Sequence, residues 1–411
     1  MANHHFDLII VGAGPAGCTC AYQLRHTKLR IAVIDKATFP RDKICGDALS
    51  ADVVNQLDRM DPTLVDSFKK FNQKLPSQGV SFFAPNGQKL DIPFTNPNFD
   101  EAAGYISKRV DFDQFMFDQI KDQANVELFV NEKIEKIEYE SDLVKLESKL
   151  HTFTSKLIIG ADGAYSVVNK YLGNIKVEKE HYCAGLRQYY KNVNGFNDQN
   201  HIELHFYKEL LPGYFWVFPL PNGQANVGLG MLSSEVSKRQ LNLKSILYDL
   251  IHNHPNLKDR FKNAEPIEDI KGFGLPIGSK KRAISGRQFL LLGDAASLID
   301  PFTGEGIGNA IRSGRIAAEV VEEAFYKNRF DSKYLHKYDQ IIEHKMRNEL
   351  RISRSMQKLL KYPKLFNFVV KKANSNSSVR TLLTSMLDNV DLKKELIKPR
   401  FYVQLLFGSL K

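Results

Sequence analysis

A short apolar strand, a glycine turn and a helix start follow one another in DLIIVGAGPAG, residues 7–17. No other stretch constrains the chain as much. Gly12, Gly14 and Gly17, with Pro15 and Ala16 between them, carry the spacing of a dinucleotide-phosphate loop. Each glycine answers a separate steric demand. Gly12 permits the tight turn, Gly14 puts no side chain in the path of a pyrophosphate, and Gly17 lets the helix approach the strand. The helix N-terminus then offers unpaired N–H groups and partial positive charge to the phosphate. A second strand, residues 30–34, follows a helix-length segment and ends in Asp35, with Lys36 beside it. An acid about 20 residues beyond the glycines is placed to grip a ribose hydroxyl. A βαβ unit holding a dinucleotide is expected, and which dinucleotide is left to the rest of the chain.

At 411 residues there is room for two or three domains and a sizeable core. With 43% hydrophobic and 25% charged residues, wholesale disorder is excluded. MANHHF runs into the first strand without a basic flank or an apolar h-region, and no apolar run is long enough to span a bilayer. Cys18, Cys20, Cys45 and Cys183 show neither zinc-ligand nor CxxC spacing, so no metal site is expected. Reduced thiols and a cytoplasmic location follow as the simplest expectation. The net charge of +10 resides in residues 331–411, with 17 Lys and Arg against 7 Asp and Glu. A uniformly basic surface would point to nucleic acid. A neutral body with a basic C-terminal region points instead to peripheral contact with acidic lipid or a partner, or to a solvated helical face.

Along the chain, FPRDKICGD at 39–47 breaks regular structure at Pro40 and turns at Gly46. Residues 50–71 read as helix and 79–94 as strand. An amphipathic helix follows Arg109, with Phe112, Phe115, Met116 and Ile120 on one face and Asp111 in the N-cap position. Residues 126–153 read as a hairpin. A buried strand at 157–159 ends in Gly160-Ala161-Asp162-Gly163. Residues 177–274 are rich in aromatics and alternation, as in an antiparallel sheet on the substrate side. A third apolar strand, 289–292, ends in Gly293-Asp294, and PFTGEGIG at 301–308 opens a helix. The small-residue stripe of that helix, Ile307 through Gly314 to Val321, suits close packing on a sheet. From Asp331 the chain reads as helical, with an apolar patch at 401–410.

Three strands therefore end in ligand-type turns, and ligands of open parallel sheets gather at strand carboxyl ends. An NAD dehydrogenase needs only the first turn, whereas FAD is long enough to use all three. The combination of GAGPAG, Asp162-Gly163 and LLGDAA at 291–296 resembles the para-hydroxybenzoate hydroxylase-like flavoproteins. Three further motifs resemble the geranylgeranyl reductase family. These are PRDKICGD around Cys45, Tyr214-Phe215-Trp216-Val217-Phe218-Pro219 followed after eight residues by Gly228-Leu229-Gly230, and PFTGEGI. The resemblance covers residues 5 to about 330.

The resemblance implies an α/β fold with a Rossmann-like FAD-binding domain, a mostly antiparallel β-sheet substrate domain and a helical C-terminal region. The FAD domain would be discontinuous, at 1–75, 105–176 and 275–330. The substrate domain would take 76–104 and 177–274, and the basic helical region 331–411. FAD is the implied cofactor and NADPH or NADH the implied electron donor. Asp35 would bind the adenosine ribose and Asp294 the ribitol or pyrophosphate region. Pro301, Gly304, Glu305, Gly306 and Ile307 would bring N–H groups and a helix N-terminus to the flavin's pyrimidine end, where positive potential suits the reduced anion. Arg109 resembles the arginine of an RxxFD element that contacts FAD, and Lys43 and Gly46 fall beside the flavin or phosphate. Tyr214, Trp216, Phe218 and Pro219 would form an aromatic substrate wall. Cys45 would lie near the flavin, orienting substrate or donating a proton; as residue chemistry alone it equally suits a buried small side chain.

Two departures limit the carry-over. Ser166 is present, but Asn169 stands where hydroxylases have arginine, so their nicotinamide contact does not transfer. Tyr214 and Phe218 also break the WxWxIP pattern of flavin-dependent halogenases. The implied activity is reduction of the double bonds of a prenyl lipid or polyprenyl quinone. An aromatic monooxygenase and a non-enzymatic isoprenoid-binding flavoprotein are the alternatives.

Overall fold

The computed structural model describes residues 2–94, 102, 104–376 and 379–380. Its organising element is a six-stranded sheet in the order Ser285–Gly286, Phe289–Leu291, Leu157–Gly160, Leu8–Val11, Ile31–Ile34, Val126–Phe129. The four central strands are buried along their whole length, which is why each reads as a continuous apolar run. All neighbours pair in parallel except the edge strand Ser285–Gly286. Register decides the geometry of the site. Val11 lies opposite both Ile34 and Gly160, and Gly160 lies opposite Leu291, so the turns that follow these strands emerge at one level.

Helix Pro15–Gln23 follows the first strand, with Cys18 and Cys20 fully buried. Helix Ile307–Lys327 packs against it, and a Cβ at Gly314 would fall 2.5 Å from the Ala16 carbonyl oxygen. The small-residue stripe thus serves a close contact with the first helix and with the Gly293 turn, where a Cβ would fall 3.2 Å from Ala310 Cβ, rather than the expected contact with the sheet face. The helical stretch at 50–71 is two helices, Ala51–Met60 and Pro62–Lys70, separated at Asp61. Proline removes an N–H and fits only the first turn of a new helix. Helix Arg109–Asp118 begins earlier than its sequence indicates. Lys108 is its N-cap and Asp111 lies in the first turn, where its charge still suits the macrodipole.

The expected hairpin at 126–153 is divided between two sheets. Val126–Phe129 is the edge of the parallel sheet, while Lys136–Glu140, Leu143–Glu147 and His151–Ser155 form a separate meander. The N-terminal residues close that second sheet as strand Ala2–His5, parallel to His151–Ser155. Gly104–Ile106 is the central strand of a three-stranded sheet and pairs with both Leu75–Ser77 and Ala48–Leu49, so the edges of the expected substrate segment 76–104 bridge to the FAD-binding side.

The large sheet comprises Gly79–Phe83, Lys89–Pro93, Tyr182–Lys191, Ile202–His205, Tyr214–Leu220, Gln224–Leu232, Glu265–Pro266 and Lys271–Pro276. Only Ile202–His205 and Gly79–Phe83 pair in parallel within it. The eight-residue gap between the aromatic motif and GLG is a hairpin register. Tyr214 faces Gly230, Trp216 faces Gly228 and Phe218 faces Asn226 across the strands. A Cβ at Gly228 would meet Trp216 Cζ2 at 2.3 Å and the Leu186 carbonyl oxygen at 2.2 Å, so the indole lies flat on a residue that must be glycine. Gly228→Ala is expected to lower unfolding free energy by about 2 kcal/mol in denaturant titration, since one of the two clashes is with backbone. A change under about 0.5 kcal/mol would contradict this packing.

The C-terminal helices are built into both halves. Helix Ser332–Leu359 is capped by Asp331 and places Leu335, Tyr338, Ile342, Met346 and Leu350 in the main core, with the Tyr338 hydroxyl donating to the Leu291 carbonyl at 3.0 Å. Helix Pro363–Ser375 packs Val370 and Ala373 against the large sheet, and Phe366 meets Phe206 with ring centroids 4.9 Å apart. The apolar patch at 401–410 lies outside the described residues. Among the described residues, no helix is long and apolar enough to cross a membrane.

Candidate functional site

The three glycines of the first turn have different constraints. A Cβ at Gly12, whose φ is +105°, would lie 2.4 Å from the Ala161 carbonyl oxygen, and one at Gly17 would lie 1.9 Å from that of Gly12. Both are required by the fold. At Gly14 the nearest atom is the Arg41 Nη2, at 3.4 Å. Protein packing leaves that position open, as access for a ligand requires. Asp35 is buried, and its carboxylate accepts the Ala13 N–H at 2.8 Å and the Ala37 N–H at 2.9 Å. It braces the turn and keeps lone pairs for a ribose, while Lys36 beside it is exposed.

The second turn has two roles. One oxygen of Asp162 accepts the N–H groups of Val167 and Val168, at 2.5 and 3.3 Å, and so caps the short helix Val167–Tyr171. Its Oδ1 is buried with no hydrogen-bond partner, and the space around Gly163 is open for 4 Å. An orphaned acceptor beside an open glycine fits a ligand hydroxyl. In the third turn Gly293 has φ +54° and donates its N–H to Ser313 Oγ. Asp294 accepts from Lys43 Nζ at 2.8 Å, so two residues assigned separately to the cofactor are joined as an ion pair.

Near the last motif, Tyr214 donates its hydroxyl to the Thr303 carbonyl at 2.7 Å. A Cβ at Gly304, with φ +74°, would strike that hydroxyl at 2.7 Å. The aromatic strand is thereby seated on the PFTGEGI turn. Pro301 is buried outside the cavity, and Gly306 is the N-cap of the helix that Ile307 begins. Glu305 accepts the Gly308 N–H at 2.8 Å. Burial pushes its carboxyl up to about 7, with Gly308 opposing and the charge of Asp52 adding to the rise.

Arg109 is buried rather than a surface charge, paired through two nitrogens with Asp113 at 2.7 and 2.8 Å. Asp113 also receives Arg41 at 2.6 Å. Cys45, Asp47 and Arg109 line the same cavity. Burial pushes the Cys45 thiol up, Arg109 pulls it down and the Asp47 charge raises it, so it stays protonated at neutral pH. A Cβ at Gly46 would meet the Phe218 ring at 2.9 Å, which explains the glycine after the cysteine.

Four polar residues that the sequence did not single out complete this region. Asp47 is fully buried with φ 70°, and its Oδ2 accepts from Tyr189 at 2.7 Å and Asn226 at 2.8 Å. Arg187, also fully buried, donates to Tyr189 and to the carboxylates of Asp42 and Glu268. Arg187 and Gln188 interrupt the apolar and aromatic residues in the buried part of strand Tyr182–Lys191, which is the signal the sequence carries for them. Asp47 closes the PRDKICGD motif and Asn226 lies just before Gly228-Leu229-Gly230, but only the tertiary pairing gives them a role.

Burial moves the Asp47 carboxyl from the ordinary 3.8 up to about 6, against hydrogen bonds from Tyr189 and Asn226. Folding thus favours the protonated form. Its contribution is complete below about pH 4 and is lost as pH rises through about 6, by about 3 kcal/mol. The wild-type advantage over Asp47→Asn in unfolding free energy is expected to shrink by that amount between about pH 4 and 7. A difference that does not change with pH would contradict it.

One cavity of about 1130 Å³ gathers part of this set, while Gly12, Gly14, Asp35, Asp162 and Gly163 are not in its lining. Pro15, Lys43, Asp294 and the 304–307 turn line its polar end, and Val80, Phe82, Ile202, Leu204, Trp216 and Phe218 its apolar end, with Cys45 and Arg109 also in the lining. Tyr214 lines it too, but Pro219 does not. Strand period two places Pro219 with Phe215 and Val217, on the opposite face.

The chain matches the family model described as FAD binding domain over residues 5–341. It is 28% identical over 414 residues to a digeranylgeranylglycerophospholipid reductase of Thermoplasma acidophilum, covering 95% of this chain and 98% of that protein. It is 26% identical over 400 residues to a menaquinone reductase of Mycolicibacterium smegmatis, covering 94% of this chain and 92% of the relative. A solved geranylgeranyl bacteriochlorophyll reductase-like protein of Thermoplasma acidophilum shares the fold, with a TM-score of 0.78, 24% identity and coverage of 90% and 91%. The open Gly14, the orphaned Asp162 Oδ1 and the level strand ends fit an FAD.

Proposed function

Since the chain belongs to the FAD binding domain family and is an FAD-dependent oxidoreductase, we propose that it reduces carbon–carbon double bonds of a prenyl chain carried by a lipid or a quinone. The observation that carries this reading is the continuity of the cavity. Its polar end at Asp294 and Gly304–Ile307 opens directly onto an aliphatic and aromatic wall, with Cys45 in the lining. When bound, the flavin supplies the hydride, replenished from NADPH or NADH.

The chain's own groups would do the rest. Val80, Phe82, Leu204 and Trp216 hold an apolar chain and exclude water. Cys45 delivers the proton that balances the hydride. Arg109 and the Asp47 N–H then steady the thiolate left behind. Helix Pro363–Ser375 covers the apolar cluster from outside.

The test is anaerobic. Flavin-loaded protein, chemically reduced, is mixed with a geranylgeranyl lipid and, separately, with a polyprenyl quinone. Flavin reoxidation with a product heavier by two hydrogens per reduced bond is the expected result. Reoxidation only after oxygen is admitted, with an oxygenated product, would replace the reading by monooxygenation. No turnover with any acceptor would favour a binding role. The reading extends to peripheral membrane contact through the basic C-terminal region. Removing residues 377–411 is expected to weaken binding to anionic vesicles at least tenfold in a sedimentation assay, and unchanged binding would remove that tail from the proposal.

A further inference from the structure

We propose that Asn226 is a positioning residue whose buried amide locks the Trp216 indole to the Cys45 turn, so that the apolar wall and the thiol are held as one unit. The catalytic part of this inference rests on the prenyl-reduction reading; the structural part does not.

Asn226 is fully buried and uses its whole amide. Its Oδ1 accepts the indole N–H of Trp216 at 2.8 Å. Its Nδ2 donates to the Cys45 carbonyl oxygen at 2.7 Å and to Asp47 Oδ2 at 2.8 Å. The orientation of the amide is fixed by these partners, because an indole N–H can only donate and a carbonyl can only accept. Cross-strand register brings this about. Asn226 sits opposite Phe218, two residues from Trp216, and Gly228 opposite Trp216 leaves the room in which the indole lies flat. No other single side chain among the described residues is hydrogen-bonded both to the indole and to the Cys45 turn.

The chemistry of the surroundings makes the amide hard to replace. Leucine at this position would leave a buried indole N–H and a buried carbonyl without partners. Aspartate would keep the acceptor for Trp216 but would face two acceptors, the Cys45 carbonyl and Asp47. The introduced carboxyl could donate to either only when protonated, so it would have to share a proton with Asp47. The charged and titratable groups around this point are Cys45, Asp42 and Asp47 on the turn, Lys108 and Arg109 at the neighbouring helix start, and Arg187 and Tyr189 on the adjacent strand. Burial and the Asp47 charge raise the Tyr189 hydroxyl far above the range that matters here.

Trp216 is the sole tryptophan in the chain, so intrinsic emission reads this contact directly. The experiment compares flavin-loaded wild type, Asn226→Leu and Asn226→Asp. Asn226→Leu is expected to shift the emission maximum by several nanometres at every pH and, with a prenyl acceptor, to raise KM about tenfold as well as lower kcat. Asn226→Asp is expected to behave like it at about pH 8 and to return toward wild-type emission and KM at about pH 5.5, where the shared proton is bound. Wild-type emission in both variants, with KM within about twofold, would overturn the proposal. So would an Asn226→Asp spectrum that does not move with pH. If Asn226→Leu does not fold, Asn226→Asp decides by itself, since its change is read within one sample. If the wild type reduces no prenyl acceptor, the prenyl reading falls, and the emission results still judge Asn226.

Discussion

Gly14→Val is expected to give a folded protein that does not retain FAD. The expectation follows from a difference among three glycines that look alike in sequence. Side chains at Gly12 and Gly17 would run into carbonyl oxygens at 2.4 and 1.9 Å, so substitution there damages the turn itself. Gly14 has an ordinary backbone, φ −77°, and its nearest neighbour is one guanidinium nitrogen at the end of a long side chain, at 3.4 Å. A valine there is tolerated by the protein, but its methyl groups occupy the approach to the helix N-terminus, where the pyrophosphate has to come within hydrogen-bond distance of N–H groups. Affinity for FAD should fall at least about a hundredfold, or about 2.7 kcal/mol. The purified variant should be colourless, with circular dichroism and denaturant midpoint close to those of wild-type protein stripped of flavin. A Gly14→Val protein that stays fully yellow would contradict the assignment of this turn to the pyrophosphate. Gly17→Ala provides the contrast, because it should lose stability before it loses cofactor.

Replacing Cys45 with alanine should do the reverse, keeping the flavin and losing the turnover. Cys45 lines the cavity together with Arg109 and Asp47, whereas Gly12 and Gly14 do not line it. Removing the thiol leaves the glycine turns untouched. A positioned general acid contributes about a hundredfold to ten-thousandfold, so kcat with a prenyl acceptor should drop by about two orders of magnitude or more. KM should change little, because the apolar wall is intact. Serine keeps a proton in nearly the same place but is a weaker acid, so Cys45→Ser should recover only part of the loss. A Cys45→Ala enzyme within about twofold of wild-type kcat would remove the thiol from the proton path and leave it as a packing residue.

The FAD-binding half was largely legible in the sequence because its signals are local. A parallel strand buried on both faces must be a short apolar run, and a phosphate turn must be glycine within a few residues of it. Gly12, Gly163 and Gly293 all have positive φ, and all follow such strands. The aromatic wall was legible in part. The motif identifies Tyr214, Trp216 and Phe218, but its last residue, Pro219, belongs to the other face of the strand, since a motif is contiguous and a strand alternates. Asp111 looked like an N-cap, yet the helix starts at Arg109, and Asp47 engages the Arg109 N–H from 62 residues away.

By itself the sequence determined that a dinucleotide turn, two further strand-end turns and an aromatic hairpin exist, each from residues adjacent in the chain. Only the tertiary structure decided that the three turns are level, that Lys43 neutralises Asp294 and that Asn226 and Asp47 tie Trp216 to Cys45. The physical reason is range. Backbone conformation and burial leave a periodic trace within a few residues. A hydrogen bond between side chains 251 or 179 residues apart leaves none, because it depends on which strands become neighbours and in what register. The opening glycine loop is where both kinds of information meet: local sterics make it a turn, and the strands beside it set that turn level with the two others, at one end of the site whose reactive end we propose at Cys45 and Trp216.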